Sequence, residues 1–126
     1  MIYLIGSLKN YAVPLLANYL REQGFDVFDD WFSPGPEADD RWQAYERARG
    51  RSYAEALAGE HARNVFEFDY RHLWAAETVV LVLPAGKSAH LELGWAIGHG
   101  GKRSYILLDG PPARFDVMYA FANGVF

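Results

Sequence analysis

The chain has no cysteine. It therefore carries no disulfide frame and no thiolate nucleophile, which fits a reducing, cytoplasmic setting. No apolar run approaches the roughly 20 residues of a membrane span. The opening MIYLIGSLKN has neither a basic n-region nor a long apolar core, so no signal peptide is expected. Basic residues are in deficit: 12 Lys and Arg stand against 16 Asp and Glu, a net charge of −4. Proteins that bind a nucleic-acid backbone are usually basic, so neither a nucleic-acid polymer nor a membrane is expected as a partner. What is abundant is apolar and aromatic surface, 51% and 16% of the 126 residues. That suffices to bury a core in one domain covering residues 1–126.

Apolar runs alternate with helical periodicity along the chain. Ile2 to Ile5 reads as a buried strand ending at Gly6-Ser7. Leu15, Leu16, Tyr19 and Leu20 place a helix over Tyr11 to Gln23, closed by Gly24. Phe25 to Phe28 is a second strand, and DDWFSPGPEADD after it is a polar, mobile loop. A charge-rich helix is expected over Asp40 to Ala58, with Gly50 and Gly59 as points of breakage. Another covers Asn64 to Ala76. Thr78 to Leu83 is apolar throughout, as in a parallel strand covered on both faces. Ala89 to His99 is a helix, Ser104 to Leu108 a fourth strand, and Phe115 to Ala122 a last short helix. The pattern predicts an α/β fold, a parallel sheet with flanking helices of the flavodoxin or Rossmann type. Chemistry in such sheets sits beyond the carboxyl ends of the strands. That rim gathers Gly6-Ser7, Asp29 to Trp31, Pro84 to Ser88 and Asp109-Gly110.

On that rim lies AGKSAHLELGWAIGHG, residues 85–100. Its Gly-Lys-Ser is not a phosphate loop, because the glycine required five residues earlier is Leu81, inside the strand. Ser88 reads as the N-cap, so Glu92 lies near the positive end of the helix dipole, which favours its ionised form. An ionised carboxylate there suits a nucleophile. On position alone, an acid that merely complements the dipole is the more economical account. Asp69, in FEFDYRHLW, reads by spacing as a solvated acid on an amphipathic helix, and Tyr3 as core. His90 and Glu92 are two residues apart and diverge on a helix, so no metal is expected.

Four segments in this order resemble the nucleoside 2-deoxyribosyltransferase superfamily, which includes the 2′-deoxynucleoside 5′-phosphate N-hydrolases and CMP N-glycosidases. They are YLIGSLKN, FDYRHLWAAETVVLVL, SAHLELGWAIGHGGK and FDVMYAFAN. The resemblance implies cleavage of an N-glycosidic bond, by hydrolysis or transfer, in a small nucleoside or nucleoside 5′-monophosphate, with no cofactor. It makes Glu92 the nucleophile on the anomeric carbon, Asp69 the acid beside the base, and Tyr3 the residue that orients the glutamate. Gly6, Ser7 and Leu8 line the pocket, with Lys9 beside them. Asp116, Tyr119 and Asn123 stand on the segment that often reaches a neighbour's site, which implies a homodimer or higher homo-oligomer. Six residues before the glutamate the transferases carry aspartate and the nucleotide hydrolases serine. Here Gly86 holds that place, with Lys87 and Ser88 nearby to serve the sugar's 5′ end. Trp31, Phe32 or Trp95 is expected to pack on the base. Two other readings stand beside this one: a catalytically silent nucleotide-binding or sensing module, and a glycosidase that cleaves NAD.

Overall fold

The computed structural model describes all 126 residues. Five parallel strands form one sheet in the order β2-β1-β3-β4-β5. They are β1 (Ile2–Ile5), β2 (Val27–Phe28), β3 (Thr78–Val82), β4 (Arg103–Leu107) and β5 (Gly124–Val125). The helices are α1 (Ala12–Glu22), α2 (Ala38–Ala48), α3 (Tyr53–Leu57), α4 (Glu60–Ala75) and α5 (Lys87–Gly98), with 3₁₀ turns at Asp30–Phe32 and Val117–Phe121. None is long and apolar enough to cross a membrane.

The strands at the centre are apolar on both faces because both are covered. Tyr3, Ile5, Leu81 and Ile106 face Leu73 of α4 and Leu93 of α5. Leu4, Val27 and Val82 face Val13 and Ala17 of α1. The strand order turns back between β1 and β3. In a sheet wound 2-1-3-4-5 that reversal opens the crevice where ligands bind.

The structure refines several boundaries. The stretch read as one helix from Asp40 to Ala58 is two, α2 and α3. Gly50, at φ +72°, breaks them apart. Arg49 and Arg51 flank the break and both pair with the buried Glu46, at 3.4 and 3.2 Å. A capping box then restarts the chain: Glu55 N–H donates to Ser52 Oγ at 3.2 Å, and Ser52 N–H to Glu55 Oε1 at 3.0 Å. Gly59 is the N-cap of α4. The segment expected to be helical from Phe115 to Ala122 is a 3₁₀ turn feeding a fifth strand, where four were expected.

Gly6 ends β1 where the chain passes under α1. A Cβ there would lie 2.8 Å from Val13 Cγ2, and Val13 is itself fully buried. Gly6→Ala is therefore expected to cost about 1–3 kcal/mol through overpacking. Thermal denaturation should show it as a Tm lowered by several degrees, whereas Gly86→Ala, with nothing within 4 Å of its added Cβ, should unfold at the wild-type temperature.

Candidate active site

Glu92 stands on α5, whose inner stripe, Ala89, Leu93 and Ala96, is buried against the sheet. Its neighbour in sequence to that stripe, Glu92 is drawn partly under cover with it. Ser88 is not the cap. Gly86 is the N-cap and Lys87 the first helical residue, which makes Glu92 the sixth. The dipole acts within the first turn, and Glu92 lies beyond it. Burial wins instead. It pushes the Glu92 carboxyl up to about 8, with the Asp69 charge adding to the rise and the Tyr3 hydroxyl opposing it. Desolvation therefore opposes the ionised form that the helix dipole was expected to favour.

Asp69 reaches the same place from α4, which lies against α5 through Tyr70 and Trp95 (ring centroids 5.2 Å apart, edge to face). Burial raises it to about 6, with His72 opposing. Tyr3 rises from β1 beneath both acids. Burial raises its hydroxyl far above the ordinary tyrosine value, and the charges of Glu92 and Asp69 add to this. Its oxygen is fully enclosed and makes no hydrogen bond of regular geometry. As a donor beside Glu92 it favours the carboxylate form. Phe28 holds the Tyr3 ring at 5.0 Å and is itself stacked flat on His72 at 4.0 Å. Burial raises both carboxyls, Glu92 the further of the two, so the two titrate as a coupled pair and neutral pH favours keeping a proton on Glu92.

The loop after β1 is tied to the end of β3 by Asn10, a buried polar side chain. Its Nδ2 donates to the Val82 and Pro84 carbonyls, both at 3.3 Å, and its Oδ1 accepts from Ala12 N–H at 3.0 Å. No backbone hydrogen bond engages the amides of Gly6, Ser7 or Leu8, whereas the Lys9 amide donates to Ser7 Oγ at 3.1 Å. Trp31 covers Gly6, and its Nε1 donates to the Leu4 carbonyl at 2.7 Å. Phe32 packs edge-on against Trp31. Trp95 joins the seam between α4 and α5, stacked on His99 at 4.7 Å. Of the three aromatic candidates, Trp31 is the one beside the Gly6 turn.

At the start of α5, Lys87 and Ser88 are exposed and no side chain caps the helix. His90 links this end to the C-terminal segment. Its Nδ1 lies 2.7 Å from the Gly86 carbonyl and its Nε2 2.9 Å from the Tyr119 hydroxyl. A carbonyl only accepts, so Nδ1 carries the proton and Tyr119 donates to Nε2. Asn123 is likewise engaged by its own chain: its Oδ1 accepts from Ser104 N–H at 2.8 Å. Asp116 pairs with Arg114 at 3.7 Å, and Tyr119 and Asp116 line a mostly apolar cavity of about 390 Å³ between Leu83 and Leu108. Of the residues singled out in the sequence, Tyr3, Asp69 and Glu92 converge, while Asp116 and Tyr119 belong to this adjoining cavity. Asn10 was not singled out, and His90 was weighed only as a metal ligand. An Asn directly before a helix, with its capping chemistry, was the available signal for Asn10.

No three His, Asp or Glu side chains come together to ligate a metal. Fold and site together define a flavodoxin-ordered α/β protein in which two carboxyls raised by burial, from α4 and α5, meet over a buried tyrosine of the first strand. No protein-family profile, curated protein or solved structure matches the chain.

Proposed function

We propose that the protein cleaves the N-glycosidic bond of a nucleoside 5′-monophosphate, with Glu92 as nucleophile. The observation that carries this reading is the meeting of two partly buried carboxyls, Glu92 and Asp69, over Tyr3, joined to the resemblance of the four sequence segments to nucleoside 2-deoxyribosyltransferases. A retaining glycosidase needs one carboxylate to attack and one acid to assist the leaving group. As positive charge develops on the sugar, the proton held by the pair passes from Glu92 to Asp69, and Asp69 delivers that same proton to the departing base. The Glu92 oxygen bonds to C1′ as the C1′–N bond breaks. Asp69, now ionised, takes a proton from water as that water opens the ester, or from a second base in transfer. Tyr3 orients Glu92 throughout. Gly6, Ser7 and Leu8 offer free amides, and Trp31 a ring, to the substrate.

The 5′ end is assigned to the uncapped start of α5. Its unpaired amides favour an anion, Gly86 leaves open space before them, and Lys87 and Lys9 add charge. The protein acts in the cytoplasm, as a homo-oligomer. Incubation with deoxynucleosides, their 5′-monophosphates and NAD, read by chromatography for free base, tests the proposal. Base release is expected, with kcat/KM about ten- to a hundredfold higher for a monophosphate than for its nucleoside. Equal values reject the phosphate assignment. Release from NAD alone moves the substrate to a nicotinamide riboside, and binding without release makes the protein a sensing module.

A further inference from the structure

The aromatic side chains of α4 rest by one edge on the chain's own core, Phe68 on Phe28 and both Tyr70 and Trp74 on Trp95, and leave their outer edges uncovered. A groove of about 610 Å³ runs along the helix, lined by Asn64, Glu67, Phe68, Tyr70, Arg71 and Trp74. Phe68 is 40% exposed, Trp74 52%, and Phe66 beside them 64%. So much apolar surface on one helix marks a contact surface. The charges say what it contacts. The six lining positions fall into three pairs centred on 69: 64 with 74, 67 with 71, and 68 with 70. A helix laid antiparallel on a second copy of itself, with the two-fold axis at that centre, brings 67 opposite 71 and 64 opposite 74. Glu67 then meets Arg71 twice and Asn64 meets Trp74 twice, while Phe68 and Tyr70, two residues apart and therefore on opposite flanks of the helix, border the contact.

Within one chain Glu67 and Arg71 are four residues apart, the spacing at which opposite charges pair on a helix. No salt bridge joins them. The Arg71 guanidinium lies instead over the Phe68 ring, 5.7 Å from its centre. Both charges are thus available to another chain. The end of the helix is held in place, since Lys102 Nζ donates to the Trp74 carbonyl at 2.7 Å. The C-terminal segment, by contrast, is engaged by its own chain through Tyr119 and Asn123.

We propose that α4 is a two-fold interface, pairing antiparallel with α4 of a second copy through reciprocal Glu67–Arg71 ion pairs, with Phe68 and Tyr70 on its two flanks. This gives the self-association proposed above its surface, and it is independent of the chemistry. The test is sedimentation of the full chain at micromolar concentration, for the wild type, Glu67→Arg, Arg71→Glu and the double exchange. The wild type is expected as a dimer. Each single change sets like charges opposite one another twice, and should weaken the dimer at least about tenfold. The double exchange restores both pairs and should restore the dimer. The changed side chains are exposed, and circular dichroism confirms the fold of each variant. A monomeric wild type overturns both the interface and self-association. A dimer that neither single change weakens, or that the exchange fails to rescue, overturns the α4 interface and leaves self-association standing. Base release, measured separately, bears on the catalytic reading alone.

Discussion

Base release is expected to fall by about 10⁴-fold or more in Glu92→Ala and Glu92→Gln, because the attacking atom is gone. Turnover measured under single-turnover conditions checks this, and wild-type rates in a folded Glu92→Gln protein would sink the mechanism. The glutamine variant carries a second expectation that needs no substrate. Glu92 titrates at about 8 in the folded protein against an ordinary 4.5. The folded state thus holds this proton more tightly than the unfolded chain. The resulting stability is fully present below pH 4.5 and is lost as pH rises through about 8. Glu92→Gln cannot ionise and escapes that loss. Its Tm should match the wild type near pH 4 and exceed it by about 3 °C or more at pH 8. A wild-type site that is less stable than its neutral replica is what a carboxylate kept for reaction requires.

Asp69→Asn is expected to lower kcat by about 10²–10⁴-fold, the range for loss of a general acid. The pH profile separates this role from simple substrate holding. In the wild type, kcat/KM should rise through about pH 6, where the pair first sheds a proton, and fall above about pH 8, where both groups are ionised and no acid is left. In Asp69→Asn the repelling charge is removed, so Glu92 ionises below its wild-type value and the alkaline decline disappears. A loss confined to KM, with both limbs in place, would reassign Asp69 to binding.

The core strands could be read from sequence because β1 and β3 are buried on both faces, and unbroken apolar runs record that directly. β5 left no such record. It is two residues long, and what builds it is the pairing of Asn123 with Ser104, a contact 19 positions distant. The helix over Asp40 to Ala58 kept its periodicity across a glycine whose φ of +72° only the fold reveals. The place of Glu92 on the helix that follows the third strand was legible. The protonation of its carboxyl was not, because local position argued from the helix dipole, whereas burial in the fold and the charge of Asp69, 23 residues away in sequence, act against ionisation. Asp69 shows the same limit: spacing made it a solvated acid, and only the packing of α4 on α5 brings it inside.

The Tyr119–His90–Gly86 chain has a mechanical consequence. The sheet's last strand follows directly from the turn that bears Tyr119, and His90 belongs to the helix that bears Glu92. One imidazole, gripped on both nitrogens, makes the edge of the sheet and the first turn of that helix a single cooperative unit. Fraying cannot begin at the C-terminal edge without loosening the turn on which the 5′ end is proposed to rest, so the edge strand and that turn open together or stay shut together.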